Sequence, residues 1–316
     1  MKKTIIQATA AVLSVICAAC VSNNNQTEPD QATDTQTSEL VFSNQIDRVE
    51  NQDGISIYYT EDVIDGNAIV AFQDRANEMP IDLFIGSYND SLLHQLLPEG
   101  SAKSAINVFM AESRGHHILF DAGLGTQAGG TLMDKLKAKN IKPTDIDAVC
   151  LTHLHFDHIG GLLTNGKATF PIATLYLSEK EQEAWSDQGP MAGQNGMWKQ
   201  VQTAYKGRIK TFADGDTIID GLVATVPTPG HTPGHTSYLI DDCLIMGDII
   251  HAQDLQLTHP DFCAKYDHDP ATAVQTRKQI LSLTATNGYL LCDAHCYDRF
   301  LHASPANPVS GLTNQH

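Results

Sequence analysis

Thr152-His153-Leu154-His155-Phe156-Asp157-His158-Ile159-Gly160-Gly161 is the stretch from which the rest of the chain can be read. It places three imidazoles and one carboxylate within six residues, directly after the apolar run Ile146 to Leu151, whose composition predicts a buried strand. Side chains two apart on an extended backbone point to the same side. His153 and His155 can therefore converge on one cation where the strand ends. Asp157 and His158 leave a turning backbone and can face a neighbouring position, and Gly160-Gly161 lets the chain turn away sharply. Neutral imidazole plus carboxylate suits zinc, iron or manganese better than calcium or magnesium. A polar loop that merely contains histidine is the plain alternative, and the density of ligand-type side chains argues against it.

The chain has 316 residues, 42% hydrophobic and 18% charged, enough for a substantial core. Its formal charge of −17 offers no basic patch to neutralise phosphates, which argues against nucleic acid as a partner. Lys2 and Lys3 precede an apolar stretch from Ile5 to Ala19, too short for a comfortable membrane span, as in an export signal. The sequence Cys17-Ala18-Ala19-Cys20 resembles a bacterial lipoprotein processing site with Cys20 as the lipid-bearing residue, although Cys17 stands where leucine is usual and simple cleavage after Ala19 stays open. Val21 to Glu39 is almost wholly polar and reads as a flexible tether. The expected organisation is a signal peptide over 1–19, a tether over 20–40 and one folded domain over 41–316. The expected location is the periplasm or a membrane-tethered position. Cys150 and Cys243 lie in apolar runs as small core residues, and no essential disulfide is expected.

Between residues 40 and 122 short apolar runs alternate with turn signals, including Ile55 to Tyr59 and Ile81 to Gly86. Ala105 to Met110 and His117 to Phe120 predict a hairpin about Ser113-Arg114-Gly115. Ser178 followed by Glu181 reads as a capping box that opens a helix running through Trp185. Asn195 to Tyr205 and Pro270 to Leu283 are expected helices. Leu222 to Val226, Ser237 to Ile240, Cys243 to Met246 and Tyr289 to Cys292 are expected strands. Strands with interspersed helices in two similar halves suggest an α/β sandwich of two sheets packed face to face, with helices outside.

Three further places carry donors at strand ends: Thr228-Pro229-Gly230-His231-Thr232-Pro233-Gly234-His235-Thr236, Met246-Gly247-Asp248, and Asp293-Ala294-His295. With these in view the chain resembles the metallo-β-lactamase superfamily over about residues 50 to 303. The resemblance implies an αββα sandwich of two mixed sheets. It also implies a first metal held by His153, His155 and His235, a second by Asp157, His158 and His295, and Asp248 bridging both. His231 is then expected to be structural or to lie behind the ligands. Two divalent ions are implied, zinc foremost, with manganese, iron or cobalt as alternatives. His251, three residues after Asp248, could face the substrate or stand partly exposed, and His302 could line the pocket or the surface.

Two divalent ions about 3.5–4 Å apart lower the pKa of a shared water from 15.7 toward about 7. Asp157 and Asp248 are the expected catalytic carboxylates, Asp157 also accepting a proton from the attacking water. A cysteine, where Asp248 stands here, would mark the best-known lactamases. The aspartate matches the glyoxalase II, lactonase and organophosphate-hydrolase branches. The strings Glu179 to Trp185, Gly247 to His251, Tyr266-Asp267-His268-Asp269 and Gly288 to Leu291 are most similar to the methyl parathion hydrolase-like group. Trp185 and Phe156, with Met197 and Trp198, could form an apolar mouth, against the alternative that such aromatics pack on the sheets. The expected activity is hydrolysis of a neutral ester-like bond, a lactone first and an aryl phosphotriester second. A β-lactam, or iron-dependent oxygen or sulfur chemistry, is a further alternative. The expected partners are a small-molecule substrate and, at most, a lipid anchor in the membrane; a homodimer is the assembly to test.

Overall fold

The computed structural model describes residues 40–47, 49–60 and 67–305. The expected signal segment, Cys20 and the tether up to residue 39 lie outside the described residues. Leu40, placed at the tether's end by the sequence, instead opens a strand.

Two mixed sheets face each other. The first runs β11 (Ile209–Phe212), β10 (Thr174–Ser178), β7 (Ala148–Cys150), β6 (His116–Phe120), β5 (Ser101–Ser113), β4 (Ala68–Pro80), β3 (Ile55–Tyr59) and β2 (Val49–Gln52). The second runs β1 (Leu40–Ser43), β17 (Leu301–Pro305), β16 (Leu290–Asp293), β15 (Cys243–Gly247), β14 (Thr236–Ile240), β13 (Val223–Pro227) and β12 (Thr217–Ile218). A small hairpin joins β8 (Leu163–Thr164) to β9 (Lys167–Ala168). The described α-helices are α1 (Asp90–Leu96), α2 (Leu132–Ala138), α3 (Phe156–Ile159), α4 (Glu179–Ala184), α5 (Gly196–Ala204), α6 (Gln253–Gln256) and α7 (Pro270–Asn287), joined by short 3-10 turns.

Strand periodicity sorts the side chains into layers. Along β4 and β5, Ile69, Ala71, Phe109 and Ala111 enter the core between the sheets, while Val70, Phe72, Val108 and Met110 enter the core on the far side, which α5 helps to close. Along β14 to β16, Tyr238, Cys243, Ile245 and Cys292 face the inter-sheet core; Leu239, Leu244, Met246 and Leu291 face the layer that includes Ile280 and Leu281 of α7. Burial on both faces explains why these strands read as unbroken apolar runs rather than alternating ones. The helix–sheet–sheet–helix sandwich is thus the architecture that the sequence led us to expect.

Two expectations are corrected. Ile81 to Gly86 is not a strand: Ile81–Leu83 forms one 3-10 turn, and Phe84 drops into a separate small core with Met79, Leu93, Leu97, Leu255 and Phe262. The last long helix runs to Asn287, where Gly288 at φ 71° ends it.

The pairs β6–β7, β7–β10 and β15–β16 are parallel, so their C-terminal ends come together at one edge of the sandwich. The turn from β13 into β14 opens at that edge too, since Pro227 pairs with Thr236. The strand β5 outruns β6: Phe109 pairs with Phe120, leaving residues 101–108 to reach past the end of β6 toward the second sheet. There Ala105 N donates to His295 O (3.0 Å) and Asn107 N to Ala294 O (2.8 Å).

At that edge the chain crosses itself with no room for side chains. A Cβ on Gly161 would overlap the Ala122 carbonyl oxygen, and one on Gly160 would overlap the Leu124 carbonyl. Gly161→Ala should therefore cost about 1–3 kcal/mol, the usual penalty of overpacking. A melting temperature equal to that of the parent would refute this reading of the crossing.

Candidate metal centre

The centre is assembled from strand ends. After β7 the backbone is pinned on both sides: Tyr238 Oη donates to Leu151 O (2.6 Å), and Thr236 N donates to Thr152 O (2.9 Å). Thr152 donates its N–H and its hydroxyl to the carboxylate of Asp121, both at 2.8 Å. Asp121 follows β6 at φ 62°, a left-handed conformation that aspartate tolerates better than most residues. The chain stays extended through His153 and His155, then α3 begins and turns Asp157 and His158 to the neighbouring side.

Two sets of donors form around Asp248. In the first, His153, His155 and His231 bring ring nitrogens within 4.8 Å of one another, with His155 Nδ1 and His231 Nε2 at 2.8 Å. In the second, a carboxylate oxygen of Asp157 and ring nitrogens of His158 and His295 lie within 4.8 Å of one another. Asp248 stands between them: Oδ1 is 2.9 Å from His158 Nε2, and Oδ2 is 3.1 Å from His295 Nε2, 3.2 Å from His231 Nε2 and 3.8 Å from His153 Nε2. Donors around one tetrahedral zinc, each about 2.0–2.1 Å from it, stand roughly 3.4 Å apart. The separations here, from 2.8 to 3.8 Å, bracket that value.

Four of the five imidazoles in the two sets turn their other nitrogen outward to a fixed partner. His158 Nδ1 meets Asp121 Oδ2 (2.8 Å), His231 Nδ1 meets Asp267 Oδ1 (2.8 Å), His295 Nδ1 meets Ala105 O (2.8 Å) and His153 Nδ1 meets Thr152 Oγ1 (3.0 Å). Such partners set the ring orientation of a metal ligand. Asp267 is itself placed beside Arg277, which is buried and donates to the carbonyls of Ile249, Pro260 and Phe262. Burial raises the cost of charge on Asp267, but its bond to His231 and the neighbouring cations hold it down at about 2.

The electrostatics call for positive charge. Burial opposes ionisation of Asp248, yet His158, His295, His153 and His231 keep it well below the usual carboxylate range. Burial likewise opposes charge on His295, and Asp248 overrides it, pushing the imidazole up to about 9. His155 goes the other way: burial, then the neighbouring His231, brings it down to about 4, so it is neutral at physiological pH and ready to ligate. His153 Nε2, His158 Nε2 and Asp248 Oδ1 are buried with no aligned hydrogen bond, although they face the centre. Buried polar atoms without partners are costly. Two divalent cations would satisfy these atoms and balance the carboxylates, so the residues present fit a dinuclear site.

The structure corrects the expected roles of two histidines. His235, expected in the first ligand set, spends both nitrogens on protein: Nε2 accepts from Asp248 N (3.0 Å) and Nδ1 meets Thr228 O (3.1 Å) and Thr228 Oγ1 (2.8 Å). Gly247 makes room for it, since a Cβ there would press on its ring. His231 takes the place in the first set. The reason is reach: His235 sits at the start of β14, behind Asp248, whereas His231 is carried forward at the tip of the loop.

His302 is also not where expected. It is exposed on β17, paired with Leu290 and Ser43, and belongs to none of the described donor groups. Trp185 is buried and packs edge-on against His155 at 5.4 Å, so it backs the ring rather than forming an open mouth. Phe156 is 46% exposed beside Asp157. His251 is fully buried, 3.4 Å from Asp248 Oδ2, with neither ring nitrogen hydrogen-bonded. Tyr266, 39% exposed, stands 5.2 Å from the His251 ring and was not singled out by itself from the sequence. Asp121, Asp267 and Asp293 were missed as site residues as well; the positions of Asp121 and Asp293, at the C-terminal ends of strands, were the available signal.

The family model described as Metallo-beta-lactamase superfamily matches residues 103–286. The crystal structure of hydrolase AbOPH in the beta lactamase superfamily is 29% identical, with a TM-score of 0.69, covering 82% of this chain and 99% of that one. AidC, a dizinc quorum-quenching lactonase in complex with a product, is 21% identical with a TM-score of 0.64, covering 83% and 93% of the two chains, and shares the fold. N-acyl homoserine lactonase AttM of Agrobacterium fabrum is 32% identical over 114 residues, 34% of this chain and 41% of the relative. Several curated relatives are matched over only about half of their own length.

Exchanging the two histidines separates their roles. His231→Ala should lose one bound metal equivalent or weaken it about 10–100-fold, while His235→Gln keeps both equivalents and lowers only thermal stability. Metal content after dialysis measures this, and the opposite pattern would restore His235 as the ligand.

Proposed function

Because the chain belongs to the metallo-beta-lactamase superfamily, we propose that it is a dinuclear metal-dependent hydrolase of a neutral, ester-like bond, and specifically of a lactone. The observation that carries this reading is the single Asp248 carboxylate that stands between the two donor sets, its Oδ2 within 3.2 Å of both His231 of the first and His295 of the second and its Oδ1 2.9 Å from His158 of the second. In this reading His153, His155 and His231 would hold the first ion and Asp157, His158 and His295 the second, with Asp248 shared. Zinc fits the all-imidazole and carboxylate donors best.

When bound, two such ions acidify a water toward a pKa of about 7 and polarise the oxygen of the bond to be cleaved. The chain's own residues do the rest. Asp157 keeps its carboxylate partly exposed, 3.7 Å from His295 Nε2 and 3.8 Å from His158 Nε2, where it can accept a proton from the attacking water and return it to the leaving alkoxide. His251, buried with free ring nitrogens beside Asp248, is placed to hydrogen-bond the reacting group. The described residues around the centre supply no serine or cysteine in the position of a nucleophile, so direct attack is the economical route.

The rim favours an apolar, uncharged substrate. Phe156 opens onto a groove of about 190 Å³ whose walls combine Leu124, Leu163, Ala128 and Met197 with the uncharged amides of Gln127, Asn165 and Gln200, with no charged residue among its lining. On another side Tyr266 reaches Met79 Sδ at 3.5 Å. Such walls suit an acyl chain or aromatic ring better than an anionic thiol conjugate. The likeness to the lactonase AttM supports the lactone over the phosphotriester. Export, with attachment through Cys20, belongs to the same proposal and rests on residues 1–39 alone.

Purified protein should hydrolyse acyl-homoserine or aryl lactones with a higher kcat/KM than aryl phosphotriesters or nitrocefin. Chelation should abolish turnover and added zinc restore it. Preference for nitrocefin, or a single iron with oxygen consumption, would overturn the assignment. Asp157→Asn should lower kcat by about 10²–10⁴-fold, the range of a lost proton-transfer group, with a smaller change in KM; an unchanged kcat would remove Asp157 from the mechanism.

A further inference from the structure

Three glutamates sit on the short helix α4; Glu179 and Glu183 face solvent, and Glu181 is wholly buried. The capping role that the sequence suggested for it does not account for this. Ser178 Oγ accepts from Lys180 N (3.2 Å), while the Glu181 carboxylate turns away into the protein. There Oε1 accepts from Leu154 N (3.2 Å), and Oε2 accepts from Thr232 Oγ1 (2.8 Å) and Gly234 N (3.0 Å). Leu154 lies between His153 and His155; Thr232 and Gly234 lie one and three residues after His231. One carboxylate therefore ties together the two separate segments that supply the first donor set, and it makes no bond to the second set.

The approach is close enough to exclude a side chain. A Cβ on Gly234 would overlap the backbone of Glu181, so the glycine loop is seated on the first turn of α4. Burial holds the Glu181 carboxyl up at about 7 against the hydrogen bonds it accepts. A buried carboxylate that costs stability in this way calls for a positional explanation.

We propose that Glu181 is a positioning residue for the first metal position: it sets the spacing between the His153–His155 segment and the His231 loop, and so the affinity of that position alone. The proposal rests on the dinuclear reading above. In Glu181→Gln the volume is kept, but an amide NH2 must face either the Leu154 N–H or the Thr232 and Gly234 donors. One of the two segments is thereby released.

The test uses the full chain, stripped of metal and titrated with Co2+, read by visible absorption, and with Zn2+ in competition with a chromophoric chelator. For Glu181→Gln one equivalent should weaken about 10–100-fold, the usual effect of losing a group behind a ligand, with its Co2+ band altered. The other equivalent should bind as in the parent. Parent-like binding of both ions, or equal weakening of both, overturns the proposal. If circular dichroism shows that Glu181→Gln does not fold, Thr232→Val removes a single donor: weakening confined to the same equivalent supports the role, and unchanged binding overturns it. A parent chain that binds fewer than two ions would instead sink the dinuclear reading itself.

Discussion

An imidazole has two nitrogens, and in this centre only one of them can face inward. Everything around the site follows from fixing the other. His153, His158, His231 and His295 each hold an outward nitrogen on Thr152, Asp121, Asp267 and Ala105. The partners come from four different places in the chain, so the ring orientations exist only when both sheets are in place. A ring free to rotate about its Cβ–Cγ bond would present either nitrogen, or neither, to a cation.

The cost of that arrangement is a tier of buried acids beneath the histidines. Asp121, Glu181, Asp267 and Asp293 are all buried, and each accepts donors from more than one residue. An ionised carboxylate out of water costs several kcal/mol unless hydrogen bonds compensate it. Asp293 shows the balance: burial lifts it to about 7, although Ile250 N, His295 N and Cys296 N all donate to it. These acids link the loops that bear Asp248 and the histidines to each other rather than to solvent. The two large cores on either side provide the rigid backing, because their strands are packed on both faces.

Much of the fold and the centre could be read from local pattern. His153, His155, Asp157 and His158 stand in one run at the end of an apolar strand, and Asp248 and His295 each follow a strand of the same kind, so type and position together were informative. The choice between His231 and His235 was not local. Both sit in the same Pro-Gly-His pattern, and the choice turns on Asp267, 36 residues along the chain, and on the backbone N–H of Asp248. Glu181 was misread for a related reason: its spacing from Ser178 is that of a helix cap, and only the arrival of the Gly234 loop gives the carboxylate better donors. The run Ile81 to Gly86 has strand-like composition, but the small core around Phe84 and Phe262 draws it into a turn.

By itself, then, the sequence determined the ingredients: which strands are doubly buried, where they stop, and that ligand-type side chains wait at those stops. Tertiary structure decided the assignments: which nitrogen of each ring faces inward, which acid lies beneath which loop, and which of two neighbouring histidines joins the first set. The division has a physical basis. Periodicity and strand ends are written in neighbouring residues, whereas the direction of a hydrogen bond depends on a partner that only the closed sandwich brings within about 3 Å.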